Sequence, residues 1–176
     1  MGYSTDFSGT LNVTPPLNQA ERDFLADFAN TRHTSPEGLL FVTQPEGFYV
    51  SGNEPQGGKP GIWCHWVAGE DGNLTWDEEE KTYNHAEWLD WIITDLFGPD
   101  SRDFVQQRLS EDPRLQHFTH DHIVNGIIEA SGEDSGDLWR IKVTNNNVQI
   151  QNAEITYPET SSIRQASNRL SNLLET

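Results

Sequence analysis

Apolar positions along this chain follow two periods, and each period predicts a kind of element. In "TDFSGTLNV" (5–13), Phe7, Gly9, Leu11 and Val13 alternate with polar neighbours. That two-residue period predicts one half-buried strand, stopped by Pro15 and Pro16. The period then lengthens: Leu17, Ala20, Phe24, Leu25 and Phe28 share one helical face, and Asn18 with Glu21 has the spacing of a capping box. "GIWCHWVAGEDGNLTWD" (61–77) reads as a hairpin, with Ile62, Cys64 and Trp66 on one face, Trp63, His65 and Val67 on the other, and Asp71-Gly72 in the turn.

The strongest helical pattern covers 84–97, where Trp88, Leu89, Ile92, Ile93, Leu96 and Phe97 form a broad stripe. Asn84 and Glu87 repeat the capping-box spacing, and Gly98-Pro99 ends the pattern. "SRDFVQQRLSEDP" predicts a short helix closed by Pro113, and "HIVNGIIEASG" a strand. "DLWRIKVTNNNVQIQ" predicts a second hairpin turning at "NNN" (145–147). After Pro158, Ile163, Ala166, Leu170 and Leu173 share a helical face. Residues 31–61 are rich in Gly, Pro and Ser, and read as a loop with short strands at "LLFV" and "GFYV". The order of elements predicts an α+β fold: a single antiparallel β-sheet with helices packed mainly on one face, plus a C-terminal helix. Residues 1–157 form the expected domain and 158–176 a helical tail.

Three stretches carry a resemblance. "MGYSTDFSG", "PGIWCHWVAGEDGNLTWDEEEKTYNHAEWLDWII" and "NGIIEASGEDSGDLWRIKVTNNNVQI" resemble an uncharacterised family of small acidic proteins found in bacteria and their phages. The likeness covers roughly 1–30, 60–97 and 124–151, and it is carried by the spacing of Trp63, Trp66, Trp76, Tyr83, Glu87 and Trp88. Against that pattern 99–122 reads as an insertion and 157–176 as an added tail. The family has no assigned activity, so the resemblance implies a compact domain and a phage or mobile-element origin, and it transfers no catalytic residue.

Charge changes the picture most. The 176 residues hold 28 Asp and Glu against 11 Lys and Arg, a formal net charge of −17. Residues 70–98 carry net −8 and 99–137 net −6, whereas 138–176 carry net +1. A field of that sign repels phosphate backbones and anionic membranes and attracts basic surfaces. No basic stripe with interleaved aromatics and no glycine-rich phosphate loop occurs, so direct nucleic-acid binding is not expected. One cysteine, Cys64, allows no internal disulfide. No signal-peptide pattern and no run near the ~18 apolar residues of a membrane span is found, so a cytoplasmic location and no membrane partner are expected.

Candidate chemistry is sparse. "HFTHDH" supplies His117, His120, Asp121 and His122, all competent metal ligands. Its partial likeness to the T-H-x-H-x-D-H run of metallo-β-lactamases fails at Val124 and Asn125. Cys64 and His65 are adjacent in a strand and point to opposite faces, so they cannot pair as nucleophile and base. "GEDSGD" (132–137) lacks the ligand ladder of a calcium loop. Trp91 lies about 90° off the centre of its helical stripe, where it either borders the core or anchors a partner.

The leading expectation is therefore a non-enzymatic acidic interaction protein without a cofactor. Its concrete form is a phage-encoded inhibitor that meets a basic, nucleic-acid-binding surface of a host protein through Asp77, Glu78, Glu79, Glu80, Asp90, Trp91 and Asp95. A small metal-dependent enzyme using His117, His120, Asp121 and His122 is the alternative class. A soluble housekeeping domain with no dedicated partner for its acidic face is the third.

Overall fold

The computed structural model describes residues 3–34, 39–41, 55, 58–78 and 83–157. Among these residues, seven strands form one antiparallel sheet: β1 (Thr5–Ser8), β2 (Leu11–Thr14), β3 (Trp66–Ala68), β4 (Leu74–Trp76), β5 (Ile123–Gly132), β6 (Leu138–Thr144) and β7 (Asn147–Asn152). The strand order is β3-β4-β2-β5-β6-β7, with β1 also paired to β5. Three α-helices among the described residues accompany it: α1 (Gln19–Ala29), α2 (His85–Trp91) and α3 (Arg102–Gln106).

The single strand expected over 5–13 is two strands that share one register. Ser8 pairs with Glu129 and Leu11 with Gly126, so β1 and β2 lie on the same line along β5. The interruption falls at Gly9, whose φ of +122° favours glycine. A Cβ there would stand 2.7 Å from the Ile127 carbonyl oxygen. The break sends Phe7 into a nest of rings, Trp66, Trp76, His85 and Trp139, while β2 stays beside β4.

Alternation along the strands separates the faces. Leu11, Val13, Trp66, Leu74, Val124, Ile128, Ile141 and Val143 are buried on the side that carries the helices. Their neighbours Asn12, Glu129, Arg140 and Lys142 point to the other side, which is open to solvent or half-covered. α1 packs against β3, and α2 against β7. The fold is α+β, with one sheet face covered.

Local chemistry explains the element ends. Asn18 caps α1 as the sequence predicts: its side chain accepts from the Glu21 amide, and the Glu21 carboxylate accepts from the Asn18 amide. The β6–β7 turn is made by Asn145 and Asn146, both at positive φ, as a two-residue hairpin loop of this twist requires. Asn146 also accepts from the Val124 amide through its side chain, which fastens the hairpin to β5.

Other ends depart from expectation. Asn84 sits in the left-handed region and makes no cap; its side-chain amide instead donates to the Pro60 carbonyl at 2.6 Å. The helix expected to 97 changes to π winding over Ile92–Phe97, closed by the Gly98 amide on the Ile93 carbonyl. This wider turn carries Ile92, Ile93, Leu96 and Phe97 all inward. Helix α3 ends at Gln106, well before Pro113, which opens a 3₁₀ turn (Pro113–His117) capped by Asp112. Residues 99–122 join the core through Val105, Leu115 and Phe118. Leu39–Phe41 of "LLFV" are described and form no strand, and Leu40 is buried. "GFYV" and the C-terminal helix lie outside the described residues.

Adjacent residues of β5 report the two faces separately. Ile128 is fully buried and Ile127 is 39% exposed. Ile128→Ala is expected to cost about 2–5 kcal/mol, and Ile127→Ala less than about 1 kcal/mol, read from urea unfolding midpoints. Equal costs would contradict the assignment of the covered face.

Candidate functional site

The residues expected to meet a partner are distributed over three environments. Asp77 is half-buried and bonded to His65, Nδ1 to Oδ2 at 2.9 Å. Glu78 is exposed, with φ at +69°. Glu79 and Glu80 lie outside the described residues. Asp90 is exposed on α2, three residues from exposed Glu87, so the two share a helical face. Asp95 is half-buried, and burial is the main cause that raises its carboxyl above the ordinary range, with Asp90 adding to it against the pull of Arg108. Trp91 is half-buried: its ring stacks on Phe28 at an interplanar angle of 2° and meets Trp88 and Phe104 edge-on. The geometry places Trp91 against the core.

The acidic face is better described by what remains exposed and unpaired. Glu78, Glu87, Asp90, Asp100 and Asp103 are exposed and take part in no ion pair among the described residues. Of the eight bases among the described residues, five are engaged by the contacts within the fold that follow, and Arg102 is exposed beside Asp100 and Asp103. Arg22 donates to the Leu17 carbonyl, and buried Lys59 to the Leu39 carbonyl. Arg108 lies 3.7 Å from the centre of the Phe104 ring. Arg114 bridges Asp112 and Asp27, and Arg140 holds Gln151. The negative charge therefore keeps an uncompensated outward component.

The histidine run is taken apart by its local backbone. His117 is exposed at the end of the 3₁₀ turn, and Asp121 is exposed. His120 is buried, at φ +56°, with Nδ1 2.7 Å from the Ser101 hydroxyl. That hydroxyl donates to the Gly98 carbonyl, so the ring nitrogen donates to it, the reverse of what a base activating a serine needs. Burial is the main cause that lowers the His120 pKa. His122 turns to the other side, where Nδ1 donates to the Pro15 carbonyl and Nε2 lies 3.0 Å from Glu21 Oε1. No group of three or more His, Cys, Asp or Glu able to hold a metal ion occurs among the described residues. Cys64 is buried, and burial pushes its thiol up to about 12, which keeps it protonated and unreactive.

Two pairings were not visible from sequence spacing. His65 meets Asp77 across the hairpin because His65 has left strand geometry, at φ +58°. Glu21 and His122, 101 residues apart, form a buried pair whose carboxylate also accepts from the Thr119 amide. The capping-box spacing pointed to Glu21, but nothing local pointed to its second role. A cleft of about 710 Å³ crosses β1, β5, β6 and β7 beside Asp6, Glu129 and Arg140. None of the residues expected at a partner or metal site lines it.

The Glu21–His122 pair sets a pH dependence. Burial alone would raise the Glu21 carboxyl, but hydrogen bonds from His122, Thr119 and Asn18 outweigh it and hold the group below its ordinary 4.5. Burial alone would lower His122, but Glu21 and the Pro15 carbonyl hold it above its ordinary 6.5. The Glu21 contribution is lost as pH falls through its lowered value, and the His122 contribution as pH rises through its raised one. The pair is therefore expected to stabilise most between 4.5 and 6.5. Glu21→Gln is expected to cost about 3 kcal/mol in that window and to flatten both limbs of the urea midpoint against pH. Unchanged limbs in the variant would contradict the pairing.

Comparisons with protein-family models, with curated proteins and with solved structures return no match, so a functional reading has to rest on the residues themselves.

Proposed function

We propose that the protein is a non-enzymatic interaction module whose acidic face, centred on α2 and the turn after it, binds a basic surface of another protein. The observation that supports this is the division of charge. Glu78, Glu87, Asp90, Asp100 and Asp103 stay exposed without ion pairs among the described residues, while Arg22, Lys59, Arg108 and Arg114 are held within the fold and Arg140, on the open sheet face, is engaged by Glu129 and Gln151. Clustered charge of one sign raises the potential over a surface, accelerates encounter with an oppositely charged partner and excludes nucleic acid. A basic surface that evolved to hold phosphate backbones offers the complementary field. The resemblance to small acidic proteins of bacteria and phages favours a phage-encoded inhibitor of such a host protein. The residues assigned to the contact are Asp77, Glu78, Glu79, Glu80, Asp90 and Asp95, with Glu87 added; Trp91 supports α2 from beneath.

Partners captured from host lysate at low salt are expected to be basic and to be released at high salt, because exposed charges are screened within ~10 Å at 0.1 M. With a captured partner immobilised, the Glu87→Lys/Asp90→Lys variant is expected to associate about tenfold more slowly, with a smaller change in dissociation rate. Association that is independent of both salt and these substitutions would remove this reading.

A further inference from the structure

Among the described residues, strand β7 ends the sheet with an edge that no other strand pairs, and its own sequence carries none of the usual protecting residues. Sheets normally guard an edge with lysine, proline, a bulge or a covering segment. Here Asn147–Asn152 reads "NVQIQN", and no charged residue or proline occurs from 143 to 153. The other ends of the sheet differ: β3 has three residues, and β1 carries Asp6.

Register fixes which groups face outward. Thr144 pairs with Asn147 across the two-residue turn, and the Ala153 amide donates to the Leu138 carbonyl at 2.9 Å. Residues 147, 149, 151 and 153 therefore bond to β6, and Val148, Ile150 and Asn152 turn their amides and carbonyls away from the sheet. No strand among the described residues pairs with them. Their side chains belong to the covered face: Val148 packs against the core, but Ile150 and Asn152 stay exposed. Ile141 is fully buried, and Ile150, directly opposite it, is 53% exposed.

Charge indicates the occupant. Two bodies of net −17 repel over most approaches. Residues 138–176 carry net +1, so the β7 edge belongs to the part of the sequence where that repulsion is weakest. The outward groups are also self-complementary. A two-fold axis at Ile150 sets Ile150 opposite itself and Val148 opposite Asn152, so three hydrogen-bonded pairs give about six main-chain bonds. The same axis brings the two Ile150 side chains together over the gap beside Ile141.

We propose that β7 pairs antiparallel with β7 of a second copy, joining two sheets into one and closing the covered face over Ile150. This interface is independent of the acidic face and responds oppositely to salt. Dimerisation strengthens as salt screens the two like charges, whereas binding to a basic partner weakens.

Sedimentation velocity of the full chain over a concentration series, at low and high salt, tests it. The mass is expected to rise from 19.9 kDa towards twice that value, with tighter association at high salt. Ile150→Lys places two like charges across the axis, and Val148→Pro removes an outward amide without touching the β6 ladder. Each is expected to weaken the dimer about tenfold or more while leaving far-UV circular dichroism and the thermal midpoint close to those of the parent. A parent that is monomeric at every concentration would overturn the proposal. So would a dimer that survives both substitutions, which would place the contact on another face. A parent that dimerises only after Leu170→Asp/Leu173→Asp would assign the edge to the chain's own 158–176 segment and overturn it as well.

Discussion

Glu21 sits at the third position of α1, on the side of the helix that turns inward, and a carboxylate taken out of water there must be compensated. Three stretches of chain supply the compensation. The Asn18 amide satisfies one oxygen, and the Thr119 amide and the His122 ring satisfy the other. His122 in turn holds the carbonyl of Pro15, at the end of β2. One buried group thus ties the start of α1, the end of β2 and the approach to β5. It also orients the stretch 119–122: His122 meets Glu21 at the start of α1, and His120 meets Ser101.

The fold treats its two signs of charge unequally. Basic side chains are few, and most of those described do structural work, covering rings, satisfying carbonyls or bridging the 3₁₀ turn to α1. The acids that accept them are mainly internal to these arrangements. Of the acids left exposed without an ion pair among the described residues, Glu87, Asp90, Asp100 and Asp103 lie on α2 or just after it, while Asp6, Glu70 and Asp134 are exposed elsewhere. Such a surface keeps copies apart over most of the molecule and leaves the uncharged sheet edge as the path of least repulsion. One charge distribution therefore underlies both proposed contacts, the heterologous one and the symmetric one.

Periodicity made the sheet legible, because alternation needs only nearest neighbours to be read. The β6–β7 hairpin, the strand β5 and the face buried by Leu11 and Val13 follow from it, whereas of the hairpin expected over 61–77 only Trp66–Ala68 and Leu74–Trp76 pair, because His65 leaves strand geometry. Capping at Asn18 was equally local. What sequence could not show depends on distant partners. Asn84 has the same spacing to an acid as Asn18, but the Pro60 carbonyl competes for its side chain and wins. Gly9 looked like one more small residue in a strand until β5 placed the Ile127 carbonyl where a side chain would go. Trp91 had two readings at ~100° per residue, and Phe28, from another helix, decides between them. The "HFTHDH" run had ligand composition, but left-handed backbone at His120 sends neighbouring rings to different sides.

The single thiol gives the molecule a built-in clock. Cys64 stands two residues before β3, leads into the β3–β4 hairpin, belongs to the core cluster and is 1% exposed. A buried, protonated sulfur reacts with an added reagent only when that hairpin opens, so its modification rate counts openings of this corner of the sheet. With one cysteine in the chain, that signal has a single source and needs no engineered label. Any contact that clamps the sheet, whether through the acidic face or along β7, then becomes measurable as a slower clock at a buried sulfur, one residue from the His65–Asp77 pair and at the opposite end of the strand order from β7.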